Sequence, residues 1–277
     1  MKFQEIFLFE FGYQARRVRT WVYFVVLLVV ASLFITSNYI FDARKGRFFL
    51  NSPWVLAMIT VLTSQLAWLV TTSVAGGAAA RDVKTRMYPL IYTSPISKAD
   101  YLGGRFLAAF VLNALILFAV PVGILRAVYL PGVEAEILGP FRPAAYILVY
   151  FVLAVPNAFV ATAIQFSLAV LSGRAAISYV GSVLVTVASR LIGPIAAMQV
   201  GPQAGKLLDP NGLLFVSELQ VRTPIETNTS LIGLDGTLLV NRLLWVGIAL
   251  GMLAFTHFRF RFAHRAVSTK SKRYATT

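Results

Sequence analysis

The sequence contains no cysteine and only two histidines, His257 and His264. The first absence excludes disulfides and thiolate metal sites, and the second leaves no histidine-based metal centre. Charge is scarce too: 13% of the 277 residues are Asp, Glu, Lys or Arg, about half the share usual in a soluble domain. Acids are the scarcest, 11 against 25 Lys and Arg, which leaves a net charge of +14. There is no G-x-x-x-x-G-K-[ST] phosphate loop, no H-E-x-x-H and no G-x-S-x-G element, and no apolar run holds paired carboxylates. Those motifs would carry nucleotide hydrolysis, metal-assisted hydrolysis or acyl transfer. The expectation is therefore a chain that is not itself an enzyme and carries no cofactor.

What is abundant is apolar sequence, 58% of all residues. Runs of about 20 apolar residues recur, each long enough to cross a hydrocarbon core of roughly 30 Å as a helix. They predict an all-α polytopic membrane protein, a single transmembrane domain with six spans near 21–41, 54–80, 106–130, 144–171, 176–198 and 238–258. In a soluble chain the positive excess would suggest nucleic acid. Here the cations cluster at the ends of apolar runs, where they set orientation and meet anionic headgroups, so the expected partner is the bilayer and not nucleic acid.

The first run is too long for a signal-peptide core and has no A-x-A-like cleavage site after it, so it reads as a retained span. Residues 1–19 precede it as an expected interfacial helix. Phe3, Phe7, Phe11 and Val18 form an apolar stripe at helical spacing, which Glu10 and Gln14 interrupt. Pro121 and Pro156 mark kinks inside the third and fourth spans. The loop over 199–237 contains the turn signature Asp209–Pro210–Asn211–Gly212 and short helical stretches, one near Leu213 to Leu219. Asn241 and Arg242 are expected to meet headgroups or this loop, and Asp209 to cap it internally. Asn228–Thr229–Ser230 is a formal glycosylation sequon without meaning in a bacterium, the expected source.

Placing both termini, residues 81–105 and Arg174 on one side gathers 16 of the 25 Lys and Arg there. That side is expected to be cytoplasmic, with 199–237 outside and 259–277 as a basic inner tail. Arg44, Lys45 and Arg47 in one outer loop cut against this assignment.

The segment Arg81 to Arg105, RDVKTRMYPLIYTSPISKADYLGGR, is polar and lies between two apolar runs. Thr93–Ser94–Pro95 and Ser97-x-x-Asp100 are helix N-terminal patterns. They predict a short helix from about Pro95 that turns into the third span at Gly103–Gly104–Arg105. Such a helix, carrying Lys98 and Tyr101, reads either as a docking surface for a soluble partner or as a solvated loop whose cations only fix orientation. Spacing and composition leave both open.

The run RDVKTRMYPLIYTSPISKADYLGGRFLAA resembles the cytoplasmic coupling region of ABC-2-type transporter permeases. LDPNGL (Leu208 to Leu213), GTLLVNRLLW (Gly236 to Trp245) and FEFGYQAR (Phe9 to Arg16) are similar to permeases fused to, or encoded with, M1-type aminopeptidase domains. Unlike the fusions, this sequence holds one six-span unit and no H-E-x-x-H. The resemblance implies a half-unit of an ABC exporter in a bacterial inner membrane. It would pair with a second permease half, and a separate cytoplasmic ABC ATPase would bind and hydrolyse ATP. Arg81, Asp82, Pro95, Ser97, Lys98 and Tyr101 would form the docking surface, the last four residues around a cytoplasmic coupling helix. The rival expectation is a membrane anchor or scaffold for a peptidase or other module that transports nothing.

Polar residues inside spans form a second set: Gln65, Asn113, Asn157, Gln165 and Arg190. They read either as a translocation path or dimer seam, or as interhelical hydrogen bonding worth about 0.6 kcal/mol each. For Arg190 the choice is sharper, since an arginine at mid-span costs about 2.5–3.5 kcal/mol to insert. Pro194 would bring it near the outer surface if it ended the span early.

Overall fold

A computed structural model of the chain describes residues 2–85, 87, 89, 95–219, 223–234 and 236–262. The described residues are helical with no strand, and six helices are long and apolar enough to cross a membrane. In chain order the elements are α1 (Lys2–Ala15), α2 (Val18–Arg44), α3 (Pro53–Lys84), α4 (Lys98–Val128), α5 (Pro143–Ser172) and α6 (Ala175–Gln199). Three short helices follow, α7 (Pro202–Leu208), α8 (Leu213–Glu218) and α9 (Pro224–Thr229), and then α10 (Gly236–Arg259).

The prolines show how the long helices tolerate them. A proline supplies no N–H to the turn before it and crowds that turn's carbonyl. In α4 the regular helix breaks at Phe118, three residues ahead of Pro121. In α5 a π-helical stretch, Tyr150–Ala154, precedes Pro156. In α6 the helix continues through Pro194 to Gln199, so Arg190 lies well inside a span.

The hub is α3, which packs on α5, α4, α6 and α2. Of the apolar window of α3, 78% is buried, against 11% in α6 and 22% in α10. The last two therefore turn large apolar faces outward, including Val183, Leu184, Val187, Leu191, Leu243 and Phe258. Faces of that size suit lipid or another membrane protein, not water.

The start of α4 differs from expectation. Ser97 accepts a hydrogen bond from the Asp100 backbone N–H, the predicted cap, but the helix it opens is the third span itself. It begins at Lys98 and runs unbroken past Gly103 and Gly104. No separate short helix starts at Pro95, and the Thr93–Ser94 part of that pattern lies outside the described residues. The glycines serve a close approach and not a turn: a Cβ on Gly104 would lie 3.0 Å from the Phe3 carbonyl oxygen and 3.0 Å from the Ile6 side chain, both on α1. The tail beyond Phe262, with Arg86, likewise lies outside the described residues.

Candidate functional site

Helix α1 presents one face to the ends of α3 and α4. Phe3, Ile6, Glu10 and Gln14 recur at intervals of three and four, so they share that face. Glu10 and Gln14, which interrupt the apolar stripe in the sequence, are the two buried residues of α1, while Leu8 and Phe9 point outward. Their partners explain why. Arg81 of α3 reaches Glu10 at 2.7 Å, and Arg105 of α4 approaches the same carboxylate at 4.0 Å. Gln14 donates to the Glu10 carboxylate at 3.0 Å and to the Val74 carbonyl at 3.1 Å.

A second carboxylate completes the cluster. Arg105 pairs with Asp82 at 2.6 Å and donates to the Ala78 carbonyl at 2.9 Å, and the Tyr101 hydroxyl donates to Asp82 at 2.8 Å. Tyr101 and Arg105 lie four residues apart on α4, so one turn of helix delivers both. The aromatic rings take up the rest of the cationic surface. Arg81 lies over Tyr13 at 4.5 Å and over Phe9 at 5.4 Å, and Arg105 over Tyr101 at 4.6 Å. Tyr101 also stacks on Phe260, just beyond α10, at 5.7 Å between ring centres.

Two acids and two bases thus sit together with almost no exposure: Glu10 retains 1%, Asp82 3% and Arg105 4%. Matching the charges is what makes such burial tolerable, because an isolated buried ion costs several kcal/mol, about as much as the pairing returns. Burial pushes the Glu10 carboxyl above its ordinary range, and the charges of Arg105 and Arg81 hold it back. Beside the cluster lies a cavity of about 470 Å³ with a largely apolar wall.

The expected docking set is divided by this arrangement. Pro95 and Ser97 are exposed and Lys98 is half-buried. Asp82 and Tyr101 are buried and the Arg81 side chain retains only 14% exposure, so these three are not a docking surface. The physical reason is α1, which covers them and supplies their counter-charge. Lys2 at its start also donates to the Pro95 carbonyl.

The intramembrane set is not gathered into one path. Gln165 donates to the Trp68 carbonyl at 2.7 Å and to Ser182 at 2.9 Å, and Ser182 meets Thr72 at 2.6 Å. Asn113 donates to Thr162 at 2.9 Å. Both amides are fully buried inside the bundle and Gln65 nearly so, whereas Arg190 is exposed on the outer side of α6. Asn113 and Gln165 read as interhelical hydrogen bonds, whereas the Gln65 amide oxygen is buried without a partner and Arg190 is set apart.

At the opposite end a second polar cluster holds the segment 202–219. Arg242 donates to the Asn157 side chain at 2.7 Å and to the Asn211 carbonyl at 3.0 Å. Asn241 donates to the carbonyls of Lys206 at 2.8 Å and Asp209 at 2.9 Å. The Asp209 carboxylate accepts from the Asn211 and Leu214 backbones at 3.0 and 2.8 Å, capping α8. Burial pushes its carboxyl upward, and those hydrogen bonds oppose the shift. Asn241 and Arg242 therefore meet the loop. Asn228 accepts from the Phe49 N–H at 2.7 Å, a structural use of the sequon residue.

Glu10, Gln14 and Arg105 were not among the site residues expected from sequence. The available signal was the i, i+4 spacing of Glu10 and Gln14 on the same face as Phe3 and Ile6. Among the described residues no group of three His, Asp or Glu side chains is placed to hold a metal ion. No protein-family model matches the chain, and no curated protein matches it.

Proposed function

We propose that the chain is the permease subunit of an ABC-type exporter in a bacterial cytoplasmic membrane, with both termini inside. A separate cytoplasmic ATPase supplies the energy, and a second permease half completes the transporter. The observation that carries this reading is the cluster of Glu10, Arg81, Asp82 and Arg105. It ties together the helix that enters the 85–97 segment, the helix that leaves it, and α1. A push on that segment would move all three as one body, which is what an external motor needs in order to tilt spans. The exposed Pro95 and Ser97, with Lys98, remain as the contact surface, while Arg81, Asp82 and Tyr101 transmit from behind it. The outward apolar faces of α6 and α10 leave room for a second half.

The rival, an anchor that transports nothing, is favoured by one feature: Asn113 and Gln165 are sealed inside a single bundle. One experiment separates the two. The chain is co-purified with ATPases encoded beside it, and hydrolysis is measured with and without it. Stimulated hydrolysis that Lys98→Glu abolishes supports the exporter. Failure of every neighbouring ATPase to associate supports the anchor.

A further inference from the structure

Arg190 is a charge on the outer surface of the spans that nothing on the chain answers. It is exposed, and it makes no hydrogen bond, ion pair or ring contact among the described residues. It also lies deep. The nearer end of α6, Gln199, is about 13 Å away along the axis, and the other end, Ala175, is farther. The other exposed charges on spans, Arg44, Arg126 and Arg259 among the described residues, lie within a turn of a span's end, where headgroups are in reach.

The surface on both sides of Arg190 suits hydrocarbon. Val183 and Val187, seven and three residues earlier, share its face and are half exposed. Toward the nearer end the exposed side chains are Leu191, Ile195 and Met198, and Val200 just past Gln199 is still 78% exposed. Helical side chains lean toward the N-terminus, so Arg190 leans away from its nearer end. A lipid phosphate would have to descend past Val200 and Met198 to meet it. A guanidinium at that depth calls for a counter-charge at the same depth.

A second copy of the chain does not bring one. None of the 11 acids lies in the interior of a span: Asp42, Asp82 and Asp100 sit at span ends, and the others in α1 or between spans. Two α6 faces packed on each other would instead set two Arg190 side chains at one depth, adding like charges where the dielectric is low.

We propose that this face of α6 docks a span of a different membrane protein, one that carries an Asp or Glu at the depth of Arg190. The carboxylate accepts from the guanidinium, and the apolar flank of that span covers Val183 and Val187. Two parallel N–H groups on one carboxylate fix the register of the two helices as well as their affinity. The proposal needs the chain to lie in a membrane but does not rest on the exporter reading. Under that reading, the half that covers α6 is not an identical copy.

The test uses the full chain in phosphatidylcholine bicelles and a probe span, a lysine-flanked polyleucine helix with Glu, Gln or Leu at the depth of Arg190. Binding is read as energy transfer from the labelled probe to a dye on Ile225→Cys, an exposed position of α9 in a chain without other cysteines. The Glu helix should bind about tenfold tighter than the Gln helix, since one charge-assisted pair is worth roughly that factor. Arg190→Leu, at an exposed and unpartnered position, should erase the difference and leave the melting temperature level or higher. Equal binding of the Glu and Gln helices, or a preference that survives Arg190→Leu, overturns the proposal. Two further arms address the other occupants. Arg190-dependent binding of dioleoylphosphatidylglycerol over dioleoylphosphatidylcholine, in native mass spectrometry of the chain alone, overturns it in favour of a lipid phosphate. Copy-to-copy disulfides that form faster at Val187→Cys than at Leu243→Cys on α10 overturn it in favour of a second copy.

Discussion

The two ends of the bundle bury arginines by different means. Arg242 is held by carbonyl oxygens: the Asn157 side chain and the backbone of Asn211, with Asn241 and Trp245 making the same kind of bond to the loop beside it. Arg81 and Arg105 are held by carboxylates on two different helices. A cluster wired to backbone carbonyls fixes one local conformation, because several carbonyls of the loop must be displaced together to release it. A cluster of paired side chains joins separate helices at their ends and can exchange partners when those helices shift. The first is a staple across a loop, and the second is a joint between spans.

Substitution at the staple should have the largest effect. Arg242→Met strips donors from Asn157 and Asn211 in a buried site, and hydrogen bonds to a charged group contribute about 1.5–3 kcal/mol each. A loss of about 4 kcal/mol is expected, read as a lower melting temperature in detergent together with protease cleavage in 202–219. Cleavage without a change in melting would mean the staple serves only the loop.

The joint comes next. Glu10→Ala leaves Arg81 and Arg105 short of one negative charge, a change expected to cost about 3 kcal/mol. Glu10→Gln keeps the shape and an acceptor for Gln14, and should cost about 1 kcal/mol. The pH dependence gives an independent reading. The Glu10 carboxyl is raised in the folded chain, so the folded state holds this proton more tightly than the unfolded state. Its contribution is present at acidic pH, and is lost as pH rises from the ordinary carboxyl value, 4.5, through the raised one. That slope should vanish in Glu10→Gln. An unchanged slope would assign it to another group.

These two ends were unequally legible in the sequence, for a physical reason. Six apolar runs declare six spans because crossing hydrocarbon imposes length and composition on each run separately. The Ser97 cap is equally local. The loop end could be anticipated in part, since LDPNGL and NRLLW are each conspicuous, but the contact between them needs the fold. The joint was hidden because Glu10 acquires its role only from Arg81 and Arg105, some 70 and 95 positions along the chain. Read by itself, a carboxylate on an apolar stripe is a flaw in amphipathicity. Gly103–Gly104 misled in the same way: glycine allows a turn, and it also allows another helix to approach, and only α1 decides which.

A smaller loss tests the joint's aromatic side. Tyr101→Phe removes the hydroxyl that donates to Asp82 but keeps the stacking on Phe260. About 1.5 kcal/mol is expected, the worth of one hydrogen bond to a charged acceptor. Combined with Glu10→Gln, the loss should fall short of the sum of the single losses, because both act on one network. Strict additivity would show that Glu10 and Asp82 belong to independent pairs.

The smallest effect on stability is the one that most sharpens the contrast between staple and joint. Lys98 opens α4 directly after the Ser97 cap and is half-buried at the surface of the segment. Lys98→Glu puts an acid in the first turn of a helix, where the aligned peptide dipoles favour it by about 0.3–1 kcal/mol. The melting temperature should therefore stay level or rise slightly. If the joint behind Lys98 serves a motor outside the membrane, the same substitution should abolish stimulated hydrolysis by the associated ATPase, since the contact it reverses is intermolecular. Arg242→Met should behave the opposite way, lowering stability while the surviving folded fraction still stimulates the ATPase. If the two substitutions lowered stimulation only in proportion to the protein each unfolds, the two ends would differ in chemistry but not in purpose.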